Sequence, residues 1–147
     1  MTEELENREN NWLSCLDDGG YRLTRPRRAV VKTLAESEQA LSPTQIFDLG
    51  REKYPSLGLV SVYRTLEILD DLGLIQRVHH PEGCQTYIAA FEGHQHLLIC
   101  KQCGKTAFFD GDNLNALITR VENQSGFQIT EHWLQLFGLC ESCKNKN

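Results

Sequence analysis

With 147 residues, 40% of them hydrophobic and 24% charged, the chain has room for one ordinary soluble domain or two small ones. Its net charge of −5 excludes a uniformly basic nucleic-acid coat, and no apolar run approaches the roughly 20 residues that span a bilayer. The opening stretch MTEELENRENNW is acidic and polar, unlike a secretory leader, so the expected compartment is the cytoplasm. There, six cysteines suggest metal or redox chemistry more than disulfides.

Charge is unevenly spread. Between Gly19 and Ala35 lie Arg22, Arg25, Arg27, Arg28 and Lys32 with no acidic residue among them, a local basic patch on an acidic protein. A solvated helix face would look the same, so the surrounding elements must decide. RLTRPRRAVVKTLAES predicts a helix, with Thr24 as N-cap, Pro26 in the first turn, and Val30, Val31 and Leu34 at helical spacing. LSPTQIFDLGREKYP repeats the device: Ser42 caps, Pro43 opens, and Ile46, Phe47 and Leu49 are expected inward. A third helix, GLVSVYRTLEILDDLG, buries Val62, Leu66 and Leu69 and stops at Gly73. LIQRVHH and CQTYIAA follow as two short strands turning at Pro81, Glu82 and Gly83.

Three helices and a two-stranded wing make a winged helix-turn-helix whose third helix reads DNA. Ser61, Arg64 and Thr65 are expected on its exposed side, with Tyr63 at the margin. Arginine bonds guanine bidentately, serine and threonine reach bases or phosphates, and tyrosine contacts phosphate or a thymine methyl. A small helical bundle with a hairpin is the plainer alternative, and the upstream basic patch speaks against it.

The second half holds two Cys-x-x-Cys pairs, Cys100/Cys103 and Cys140/Cys143. Together they suffice for a closed tetrahedral thiolate zinc site, whereas a redox pair would call for a strand followed by a helix N-terminus. HLLIC and KTAFF predict strands and DNLNALITRVENQSG a helix with Leu114, Leu117 and Val121 inward. FQITEHWLQLFGLC predicts one long strand. The expected fold is therefore α+β: a winged-helix DNA-binding domain over residues 1–91, then a small α/β dimerisation and metal-binding domain over 92–147. So small a second domain calls for a metal staple and a partner subunit. His94 and His96 alternate along a strand and share a face, and His132 lies within reach on the long strand. Three imidazoles there suit Zn²⁺, Fe²⁺, Mn²⁺ or Ni²⁺. His79, His80 and Cys84 in the wing are further candidate ligands.

GYRLTRPRRAVVKTL, SVYRTLEILDDLGLI, HQHLLICKQCGK and ITEHWLQLFGLC, in this order and spacing, resemble the ferric uptake regulator family over about residues 19–143. The resemblance implies a homodimeric repressor that binds AT-rich palindromic operators when its regulatory metal is bound. By position it implies DNA contacts at Tyr63 and Arg64, a minor-groove contact at Arg22, structural zinc on the four cysteines, and regulatory ligands at His94, His96 and His132. The family's fourth ligand there falls on Asn115. The histidines of the family's other regulatory site fall on Gln95, Leu97 and Ala40, and its acid on Phe108, so that site cannot form as such. With Cys84 near the domain junction offering a thiol, the pattern leans to the zinc-sensing branch. A thiol-switch or peroxide-responsive regulator is the alternative on the same fold. A zinc enzyme is disfavoured, because four thiolates close the metal's coordination and no acid–base pair or nucleophile triad is in evidence.

Overall fold

The computed structural model describes residues 2–90, 95–110, 114–132 and 134–146. The chain divides into two compact units, residues 1–90 and 91–147.

The first unit has four helices and a hairpin: α1 (Thr2–Asp18), α2 (Arg25–Glu36), α3 (Pro43–Lys53), α4 (Leu59–Asp71), β1 (Ile75–His79) and β2 (Gln85–Ala89). The predicted caps form. The Arg27 backbone N–H donates to the Thr24 hydroxyl at 3.4 Å, and Ser42 and Gln45 exchange bonds in a full capping box at the head of α3. α4 ends on Gly73 at φ 71°. The Leu74 N–H returns to the Leu69 carbonyl there, closing a Schellman turn that sends the chain into β1. β1 and β2 pair antiparallel from Ile75↔Ala89 to His79↔Gln85. Leu41 adds a bridge to Tyr87 through two 2.8 Å backbone bonds, which ties the α2–α3 connection to the wing.

α1 was not predicted. An acidic, polar start argues against a leader but does not announce a buried helix face. The structure makes it a helix whose Trp12 and Leu16 are buried in the same core as Val30, Val31, Leu34, Ile46, Val62, Leu66, Leu69 and Ile75. The Arg8 guanidinium donates to the Ala35 carbonyl at 3.2 Å, pinning α1 to the last turn of α2. Leu49, expected inward, is exposed on α3, and Ile46 alone of the predicted trio is fully buried.

The second unit is a three-stranded sheet in the order β4–β3–β5, with helices α5 (Leu114–Ser125) and α6 (Glu141–Lys144). β3 (Gln95–Cys100) pairs antiparallel with β4 (Thr106–Asp110) and parallel with β5 (Gln135–Gly138). The predicted long strand is reduced to the four residues of β5, and the described residues from Gly126 to Leu134 are irregular. The helix predicted around Leu117 forms, but none of its residues is buried: Leu117 and Val121 are exposed and Leu114 is half-buried. Among the described residues of this unit only His96, Leu97, Ile99, Cys100 and Cys143 are buried, and two of those five are cysteines. Without a staple or a partner, so small a core leaves little to hold the unit together.

Leu16 is fully enclosed, so Leu16→Ala should lower unfolding free energy by about 2–5 kcal/mol in denaturant titration. A loss near zero would show that α1 is an accessory helix that the core does not need.

Candidate metal centre and nucleic-acid interface

β3 and β5 run parallel, with Cys100 opposite Gly138 at their ends. Cys100 is the last residue of β3, and Cys103 lies in the tight turn to β4, where Gly104 takes φ 78° and its N–H bonds the Cys100 carbonyl at 3.0 Å. Cys140 caps α6 two residues beyond β5, and Cys143 sits one turn into that helix. The parallel register therefore delivers both Cys-x-x-Cys pairs to one edge of the sheet. Their four sulfur atoms all lie within 4.8 Å of one another. Cys103 Sγ and Cys140 Sγ are 3.7 Å apart. Tetrahedral zinc with Zn–S bonds of about 2.3 Å sets its sulfurs about 3.8 Å apart, so the donor set fits a closed structural zinc site.

The thiols are not equivalent. The backbone N–H of Cys103, then that of Cys140 (3.4 Å from the sulfur), lower the Cys100 thiol to about 6, which makes it the ready thiolate. Cys140 is lowered too, chiefly by the Cys143 backbone N–H. Burial pushes the Cys143 thiol up to about 12.

Two of the three expected histidines lie close together. His96 on β3 is buried, and its ring centroid lies 5.4 Å from that of His132 and 5.6 Å from the ring of Phe109. His132 is exposed and sits in the irregular segment before β5, not on a strand as expected. His94 falls outside the described residues. The wing trio is not gathered. Among the described residues the four cysteines are the only cluster of three or more potential ligands, and His80 Nε2 instead meets the Thr86 hydroxyl at 2.9 Å. His79 and Cys84 are exposed at the end of β1 and in the turn after it.

α4 has two opposed stripes. Val62, Thr65, Leu66 and Leu69 are buried, while Val60, Tyr63, Arg64 and Glu67 are exposed at the same i, i+3, i+4, i+7 spacing. Thr65 was expected to face DNA. It is fully buried, its hydroxyl donating to the Ser61 carbonyl at 2.7 Å, and Ser61 is only half-exposed. Counting the helical period from Val60 instead of Ser61 would have found the outward stripe. Arg22, Arg25 and Arg28 are exposed, and the last two line an open cleft with Glu9, Lys32, Lys53 and Tyr54. Glu36 lies 3.9 Å from Lys32 and 3.8 Å from Lys53, one carboxylate between two cations, so the cleft stays net positive even with Glu9 in its wall.

Residues 18–137 match the model of the ferric uptake regulator family. The chain belongs to that family. It is 34% identical over 146 residues to the ferric uptake regulation protein of Bacillus subtilis, covering 97% of this chain and 98% of that one. The structure of the Helicobacter pylori ferric uptake regulator, described as having three functional metal-binding sites, superposes with TM-score 0.72 at 25% identity, covering 95% and 93% of the two chains. A zinc uptake regulator complexed with zinc and DNA superposes at TM-score 0.75 over 97% and 96%, but its 21% identity shows the fold alone. Family membership makes this chain a transcription regulator rather than an enzyme.

Within the family, the chain's departures have structural consequences. Leu97, in place of a ligand, is a fully buried core residue, whereas Phe108 and Asn115 are exposed. At neutral pH a metal-free cluster keeps the Cys143 proton, which incoming Zn²⁺ must displace. Zinc affinity should therefore climb as pH rises from about 6 to 8 in chelator competition, and fall more steeply below the Cys100 value of about 6, where the Cys100 proton also competes. A pH-independent affinity would mean that the cluster is not the zinc site.

Proposed function

We propose that the chain is a metal-dependent repressor that binds operator DNA in the cytoplasm as a homodimer and controls genes of zinc or iron homeostasis. The observation that carries this reading is the outward pair Tyr63–Arg64 on α4, presented by a winged unit in a chain whose other unit gathers four thiols. Arg64 reads a base edge and Tyr63 a phosphate or thymine methyl. Arg22 enters an adjacent narrow minor groove, so AT-rich palindromes are the preferred operators. Ser61 is left as a phosphate contact at the edge of the stripe.

Cys100, Cys103, Cys140 and Cys143 hold the structural zinc in this reading. The apolar side chains left open on the second unit support the homodimer. Leu98 and Leu136 are register partners on β3 and β5, both exposed, beside exposed Leu139. The regulatory metal sits on His94, His96 and His132, a reading supported by the proximity of the last two. A donor set rich in imidazole, with Asn115 where a carboxylate would sit, favours zinc over the harder Mn²⁺ and Fe²⁺. His79, His80 and Cys84 stay outside this ligand set. Metal binding acts by preorganisation: a loaded dimer holds its two reading helices at the half-site spacing, and a metal-free one samples many spacings and binds weakly.

Titrating operator binding with buffered Zn²⁺, Fe²⁺ and Mn²⁺ tests the reading, with Zn²⁺ expected to activate at the lowest free concentration. In the zinc-loaded protein, Arg64→Ala should cost about 1–3 kcal/mol on the operator and relax base preference. Arg22→Ala should weaken AT-rich sites selectively. His96→Ala should keep one tightly held zinc and the dimer, yet flatten the metal response of DNA binding. Activation curves that superimpose on wild type would rule out the histidines as the sensor.

A further inference from the structure

Among the described residues of the first unit, three of the four large exposed apolar side chains fall within five residues at the head of α4: Leu59 (44% exposed), Val60 (64%) and Tyr63 (52%). Such a concentration on a small unit marks a contact surface. Helical geometry singles out one of them. Val60 precedes Tyr63 by three residues and Arg64 by four, so it lies on their stripe, one turn closer to the helix N-terminus. Leu59 lies a third of a turn away, off that stripe. Charge around the patch suits nucleic acid: the first turn of α4 holds no acidic residue, and Gly58 supplies no side chain to cap it. The positive end of the helix is thus open to a phosphate. Valine is also a poorer helix former than alanine and gains little from burial where it is 64% exposed, so nothing in the fold accounts for it there.

Resting on the reading of α4 as the recognition helix, we propose that Val60 is a specificity residue that packs its two methyl groups against the C5-methyl of one operator thymine in each half-site. The major groove offers an isopropyl group a single apolar partner, and it is that methyl. Polar base edges at the same position would be desolvated by the valine without receiving a hydrogen bond, which turns the contact into discrimination against cytosine and guanine.

Deoxyuridine tests this directly, because it deletes the methyl and leaves every hydrogen-bonding edge of thymine in place. The experiment uses the full-length, zinc-loaded protein and the tightest duplex recovered by selection from random sequences. Each thymine is replaced by deoxyuridine in turn, symmetrically in both half-sites. One position should lower wild-type affinity about fourfold or more per half-site. Val60→Ala should lose a similar factor on the thymine duplex and become insensitive to deoxyuridine at that position, keeping its sensitivity elsewhere. Because Val60 is exposed, the variant should melt no lower than wild type, which separates lost contact from lost fold. Two outcomes overturn the proposal: Val60→Ala binding the thymine duplex as wild type does, or losses that simply add at every thymine. If Arg64→Ala keeps its effect in either case, the recognition helix stands and only the valine contact falls. An Arg64→Ala protein that binds as wild type removes the reading of α4 itself.

Discussion

Four sulfur atoms within 4.8 Å of one another are the constraint on which the second unit depends. They cannot be left as a loose group of thiols without consequence, because Cys100 is drawn toward the thiolate by backbone N–H groups while Cys143 is held protonated by burial. A divalent metal resolves that conflict by taking all four as thiolates. The parallel β3–β5 register is what makes this possible, since it brings ligands 40 residues apart in sequence to the same edge of the sheet. Structural zinc contributes on the order of 10 kcal/mol, as much as the whole stability of an ordinary domain. That exceeds anything Leu97 and Ile99 supply by their own burial.

The two units solve the problem of small size differently. The first buries a continuous core from Trp12 through Ala89, with side-chain caps at the heads of α2 and α3 and a Schellman turn at the end of α4, so it has no need of a metal. This self-sufficiency leaves one face of α4 free of structural duty, with Val60, Tyr63, Arg64 and Glu67 outward. The second unit leaves Leu98, Leu117, Val121, Leu136 and Leu139 open, a pattern that suits a surface to be covered by another copy. In the proposed reading, sensing follows from this division of labour: the DNA-reading unit is linked to a unit that a regulatory metal can preorganise.

Much of this was legible in the sequence, for identifiable reasons. Thr24, Ser42 and Gly73 announce helix ends because capping is local chemistry, and the turn at Pro81–Gly83 is equally local. The cysteine spacing gave the ligand set because two bidentate pairs admit few other roles. Missed features were those decided by tertiary contacts. α1 is acidic and polar on most of its surface, and only Trp12, Leu16 and partly buried Leu5, Leu13 and Cys15 betray its inner face. The stretch before β5 has strand-forming residues, but among the described residues only Gln135–Gly138 pairs. Threonine suits a groove and so points Thr65 outward by sequence, yet a hydroxyl that bonds the carbonyl four residues back is free to be buried. α5 shows the same limit from the other side, for its apolar stripe is real but none of its residues is buried among the described residues.

So small a core points to metal on the four thiolates as what holds the second unit in shape. Amide hydrogen exchange on the zinc-loaded protein and on the same protein after chelation tests it most directly. Removing zinc should collapse protection in β3, β4 and β5 to the level of local unfolding, while α2, α3 and α4 keep theirs. Unchanged protection in the β3–β5 sheet after complete zinc removal would contradict the claim.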